Sequence, residues 1–164
     1  PIFWTRELGT SPEQGSFALT VFFSIGIFMT YIGGLLGDKF GPIKIIRLSL
    51  LVWLPAMFLL TEVPNFSPVI MLPVGYLLLL MIGAAKAISY SPVIVLGQTY
   101  LAKSIGFASG ITLGVSQTIG GIIAPVVGNL ADTYSLPAAM MTLVPFLVVG
   151  LGASLILKDP KKLQ

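Results

Sequence analysis

Charges in this chain are rare, and they are spaced so that long uncharged runs separate them. Uncharged intervals occupy residues 14–37, 63–85, 104–131 and 133–157, with shorter ones at 48–61 and 87–102. A helix needs about 20 predominantly apolar residues to cross a hydrocarbon core about 30 Å thick. Four of the intervals have that length outright. The run at 48–61 reaches it when the helix starts near Ile43 and the Lys44 and Arg47 side chains snorkel to the interface. Only 9% of the residues are charged, against about 25% in soluble domains. With a mean hydropathy of +0.98, the chain cannot hide its apolar surface from water. Its solvent is lipid.

This excludes most soluble activities. The net charge of +3 does not point to nucleic acid, because the basic residues sit at the ends of apolar runs, where they set topology. The chain has no Cys and no His. Thiolate metal sites, HExxH zinc sites and Ser-His-Asp triads are therefore absent, and no metal or cofactor is expected. A Ser/Lys pair suited to an intramembrane enzyme does not stand out. The stretch before the first apolar run lacks a basic segment and a small-residue cleavage site. It is read as part of a longer polypeptide rather than a signal peptide.

Lys86 decides the number of crossings. If it ends a span there are six, and the basic residues divide four against five. If it lies inside one long span there are five. Lys39, Lys44, Arg47, Lys103, Lys158, Lys161 and Lys162 then share one side against Arg6 alone. The positive-inside rule selects five. The spacing predicts helices over residues 16–36, 43–61, 68–96, 106–130 and 136–157, with outer loops at 61–67 and 131–135. The basic side and the tail 158–164 are cytoplasmic, and the chain starts outside. Pro73, Gly75, Gly83 and Pro92 predict a tilted, kinked or locally broken third span. Residues 1–4 read as the outer end of a preceding helix, with Trp4 as its interfacial anchor. Ser11, Pro12 and Gln14 have the chemistry of an N-cap, N1 and N3 set.

A short motif recurs. Gly34-Leu-Leu-Gly-Asp38 closes the first span and Gly128-Asn-Leu-Ala-Asp132 closes the fourth. On the five-span topology the copies lie on opposite sides, as in transporters built from inverted repeats. The first copy, GGLLGDKFGPIKII at residues 33–46, resembles the cytoplasmic loop between the second and third helices of each half of the major facilitator superfamily. Gly34, Leu36, Asp38 and Gly41 match its pattern. Lys39 stands for the usual Arg and Gly37 for Ala, while Pro42 and Ile43 depart from it. Residues 100–132 resemble the fifth helix of such a half. The pattern of residues 92–136 is most similar to the fosmidomycin-resistance-like branch.

The resemblance implies an all-α polytopic membrane protein: five helices of a six-helix half with an inverted 3+3 repeat. This would be the C-terminal half, paired in the bilayer with an N-terminal six-helix half lying outside this chain. It implies a secondary transporter in the plasma membrane, working by alternating access, with proton-coupled drug efflux of a small molecule as the branch activity. Uptake or exchange of a sugar or organic anion is the alternative. A channel or structural subunit would need a filter loop, and none is visible. No Asp or Glu sits deep in the spans, so a carboxylate proton carrier would lie in the other half.

In the family, the carboxylate at Asp38 locks the cytoplasmic face. With Gly34, Lys39 and Gly41 it forms the candidate gating loop, against the plainer reading of a solvated turn. Asp132 reads as a capping or turn residue. Lys86 is the charge placed deepest in the membrane. An intramembrane cation is a functional candidate by default, the plain alternative being a snorkelling side chain. Tyr90, one turn on, and Gln117 in mid-helix join it as substrate or coupling candidates. Gly106, Gly110, Gly114, Gly120, Gly121 and Gly128, with Pro125, form a small-residue surface for close helix packing, static or sliding.

Overall fold

The computed structural model describes residues 1–157, so the predicted tail at 158–164 lies outside the described residues. The fold is all-helical. Five stretches are long and apolar enough to cross a membrane: Pro12–Phe40, Pro42–Asn65, Pro68–Tyr100, Ala102–Thr133 and Leu136–Ile156. A short helix α1 (Ile2–Arg6) precedes α2 (Pro12–Phe40). The Ser11 hydroxyl accepts from the Gln14 N–H, and the Gln14 side chain accepts from the Ser11 N–H. This is the capping box expected from the sequence, and it starts α2 at Pro12, four residues earlier than the apolar run suggested.

α2 also ends later than predicted. It continues through Gly34, Asp38 and Lys39 to Phe40, so the candidate gating loop is mostly the last helical turns. Only Gly41 leaves the helix. Its φ of 95° lies in the region open to glycine, and its N–H closes back on the Gly37 carbonyl. Pro42 then begins α3 (Pro42–Glu62) at N1, where its missing N–H costs nothing. A 3-10 turn at Val63–Asn65 leads to α4 (Pro68–Tyr100). The predicted outer loop at 61–67 is thus nearly all helical.

α4 is continuous through Pro73 and Pro92, so the third span is not broken. A proline frees the carbonyl four residues back. For Pro92 that is the carbonyl of Ile88, and a neighbouring helix meets it. A Cβ built on Gly33 of α2 would fall on this carbonyl oxygen, and one on Gly37 would stand 3.2 Å from the Pro92 ring. Helix–helix support is what lets membrane helices keep a proline.

A second 3-10 turn, Ala102–Ser104, leads to α5 (Ile105–Thr133). α5 reaches Thr133, so the predicted loop at 131–135 shrinks to Tyr134 and Ser135. The last span, expected as one helix, divides into α6 (Leu136–Met141) and α7 (Val144–Ile156). The proline responsible is Pro145. Its ring would strike the carbonyl of Met141, four residues back, and α6 ends at that residue. The Thr142 N–H and Leu143 N–H tighten to carbonyls three residues back, and Thr142 Oγ1 donates to the Ala139 carbonyl at 2.6 Å.

Lipid tails are as apolar as Leu, so association here rests on close packing rather than burial from water. α4 is the hub, seated between α2 and α3. The α2–α4 seam is lined by small residues: besides Gly33 and Gly37, a Cβ on Gly83 would meet Ile25 and Phe22 at 3.0 and 3.1 Å. Short connections run successive spans antiparallel. Lys39, Lys44 and Lys103 therefore gather at one end of the bundle, the basic end. Toward the opposite end Phe3, Trp4, Leu8, Val63, Leu78 and Ile82 belong to one buried cluster. Trp4 is only 3% exposed there, with ring centroids 5.7 Å from Phe3 and 5.5 Å from Tyr76. It is a core residue of this chain and not the interfacial anchor expected from sequence.

Candidate functional site

Eleven residues make just over three helical turns, so Gly75, Lys86 and Gly97 share one face of α4. The ends of that face are covered by different elements. Trp4 of α1 comes within 3.5 Å and Leu8, just beyond it, within 3.6 Å of where a Gly75 Cβ would stand. Thr112 of α5 closes on Gly97, its hydroxyl oxygen 2.6 Å from the corresponding point. Between them Lys86 and Tyr90 are exposed, Tyr90 by 50%. α4 is about 50 Å long at 1.5 Å per residue, and Lys86 lies a little past its middle. The Lys86 ammonium stands 5.4 Å from the centroid of the Phe22 ring on α2. A cation over an aromatic face is attracted by the ring quadrupole. This holds a charge at mid-helix with no carboxylate beside it among the described residues.

The other predicted residues are distributed elsewhere. Gln117 is exposed on α5, and the structure does not bring it to Lys86. α4 and α5 meet near the basic end instead, where Gln98 Nε2 donates to Ser109 Oγ at 2.8 Å. Ser116, one position before Gln117, lines an opening in the helical wall. This is a cavity of about 940 Å³ between α1, α3, α5, α6 and α7. Gly120 and Gly128 also line it. A Cβ on Gly106, Gly110, Gly114, Gly120, Gly121 or Gly128 would meet nothing within 4 Å, and Pro125 beside them is exposed. Within the described residues, close packing is carried by Gly33, Gly37, Gly83 and Gly97 rather than by the α5 glycines. Lys39 turns its ammonium over the Phe40 ring at 5.3 Å, and Asp38 is exposed in the last turn of α2.

Two polar ties were not legible in the sequence. Arg47, expected only to snorkel, donates to carbonyls at the end of α7. Asp132, read as a turn residue, pairs with Arg6 at 3.3 Å. Each joins residues more than 100 positions apart, a separation over which no local pattern carries information.

Comparison with known proteins decides the family. Residues 1–164 match the Major Facilitator Superfamily along their whole length. The chain belongs to this superfamily of membrane transporters. It is 32% identical over 151 residues to an uncharacterized MFS-type transporter, YfnC, of Bacillus subtilis (strain 168), covering 92% of this chain and 35% of the relative. It is 30% identical over 132 residues to the fosmidomycin resistance protein of Escherichia coli (strain K12), covering 80% of this chain and 30% of that protein. The chain spans about a third of the length of these relatives. No solved structure gives a significant match. Within the superfamily, the exposed Lys86–Tyr90 face of α4 is the candidate functional site.

Proposed function

We propose that this chain is the C-terminal wall of a secondary transporter that moves a small molecule by alternating access. The observation that carries the reading is the Lys86–Tyr90 face of α4: a cation near mid-helix, left exposed where α1 and α5 cover the same face above and below. Substrate and coupling-ion sites of such transporters lie near the bilayer midplane at a repeat interface. A lysine there suits an anionic substrate or a carboxylate of the remaining polypeptide. α1 is read as the end of a preceding membrane helix, and the glycines of α5 as the surface that receives further helices.

The fosmidomycin resistance relative supports drug efflux as the direction, and exchange with protons as the driving force follows from that reading. The basic end faces the cytoplasm of a cell whose plasma membrane holds the protein, and the C-terminus lies on that side. Asp38, in the last turn of α2, serves as the gate carboxylate, with Gly34, Lys39 and Gly41 shaping the turn. The test is transport by the full-length protein in vesicles with and without an imposed pH gradient. Substrate movement that follows the gradient supports proton-coupled efflux. Gradient-independent exchange of a sugar or organic anion would favour the carrier alternative, and a pore-like flux without saturation would overturn the transporter reading.

A further inference from the structure

We propose that Arg6 and Asp132 form a reversible latch that ties the far end of α5 to α1. The two copies of the G-x-L-small-D motif are placed differently. At the end of α2, the small residues are used in packing: Gly33 and Gly37 meet Ile88 and Pro92 of α4, and a Cβ on Gly34 would stand 3.2 Å from Ser91 Oγ. At the end of α5, Gly128 and Ala131 line the 940 Å³ cavity, and nothing lies within 4 Å of a Cβ on Gly128. No helix fills this second seat within the described residues. α1 enters its end through Ile2 and Arg6.

At that point Arg6 Nη1 donates to Asp132 Oδ1 at 3.3 Å. The two partners differ in how firmly they are held. α1 is fixed, because Phe3 and Trp4, with Leu8 just beyond, are buried against Val63, Leu78 and Ile82. Within the described residues α5 is packed more lightly, with Ala108 its one buried residue. It is pinned near the basic end by Gln98 and Ser109. At the far end it has α6, reached through a two-residue turn, and the Arg6 pair. Within this chain the pair therefore joins the far end of α5 to the more firmly packed α1.

The side chains are 62% and 76% exposed. Such pairs add little to static stability and are screened by salt. A latch has to be weak to open and close, and a modest bias is enough to shift a two-state equilibrium. The geometry stands without any transport activity. Its use in alternating access rests on the transporter reading.

The experiment places spin labels at Glu13 and Tyr134 in the full-length protein in bilayers. Both positions are exposed, and their separation reports the far end of α5 relative to the α1–α2 end. Arg6→Gln and Asp132→Asn should each raise the long-distance population about two- to five-fold, the range an exposed pair supplies. The exchanged pair Arg6→Asp/Asp132→Arg should restore the parent distribution. High salt should widen the parent distribution and leave both single variants unchanged. Single variants that match the parent overturn the latch. So does an exchanged pair that behaves like the single variants, which also covers singles that merely disturb folding. Transport measured on the same samples separates the two proposals. A parent without coupled transport but with the distance response refutes the transporter and keeps the latch, and normal transport with unaltered distances does the reverse.

Discussion

Arg47 binds the end of α7 through Ser154. Its Nε and Nη2 both donate to the Ser154 carbonyl, at 2.9 and 2.6 Å, and Nη2 also reaches the carbonyls of Leu155 and Leu157 at 3.3 Å. The last carbonyls of a helix have no intrahelical partner and carry the negative end of its dipole. A guanidinium there answers both deficits, and it does so from the first turns of α3. Arg47→Met should release α7 from α3 at a cost of about 1.5–3 kcal/mol, the range for hydrogen bonds to a charged group. Arg47→Lys should recover only part, because one ammonium cannot reproduce the planar fork. A short crosslinker between cysteines at Leu50 and Gly150 would report this. The Gly150 Cβ position is 3.9 Å from Leu50 Cδ1, and the chain has no native cysteine. Undiminished crosslinking in Arg47→Met would refute the brace.

Gly33 and Gly114 should respond oppositely to a methyl group. At Gly33 a Cβ would come within 2.7 Å of the Ile88 carbonyl carbon, and backbone cannot turn aside. At Gly114 it would meet nothing within 4 Å. In the 164-residue chain, Gly33→Ala should destabilise by about 1–3 kcal/mol or more. Gly114→Ala should be neutral or gain up to about 1 kcal/mol from helix propensity. Thermal unfolding in detergent compares them, and equal melting temperatures would contradict the α2–α4 seam.

Trp4 tests the core at the end opposite the basic residues. Its indole N–H is buried without a hydrogen-bond partner, so the ring and not the donor holds α1. Trp4→Phe should be tolerated, while Trp4→Ala should cost about 3–5 kcal/mol. A Trp4→Phe variant as unstable as Trp4→Ala would mean that the N–H has a partner after all.

Lys86 bears on the proposed function. Lys86→Gln in the full-length protein should raise the substrate KM or shift the pH profile of transport. Lys86→Arg should not restore both, since a guanidinium differs in shape and hydration. Unchanged kinetics and pH dependence in Lys86→Gln would reduce the residue to a snorkelling side chain.

Orientation can be read with single cysteines in intact cells. One at Lys44 should be protected from a membrane-impermeant thiol reagent, and one at Asn65 should react. Reaction at both positions, or at Lys44 alone, would reverse the topology.

The number of spans and the all-helical class were legible in the sequence because both follow from where the charges stand. Each charge costs enough in lipid to mark the end of an apolar run, and Lys86 stood out as the exception for the same reason. The capping box at Ser11 was legible because its chemistry is complete within four residues. Helix ends were less so. Phe40 and Thr133 continue helices past Asp38 and Asp132, since a charge ends a hydrophobic run but need not end a helix. The division at Thr142 depended on Pro145, one proline among several, and only backbone packing decided which of them breaks a span. Pro92 does not, because Gly33 lies against the carbonyl it frees. In the same way only the tertiary structure set Arg47 on α7 and Arg6 on Asp132. It also put Trp4 in the core and left the α5 glycines open. Such pairings depend on which faces of distant helices meet, and a periodicity of 3.6 residues says nothing about that.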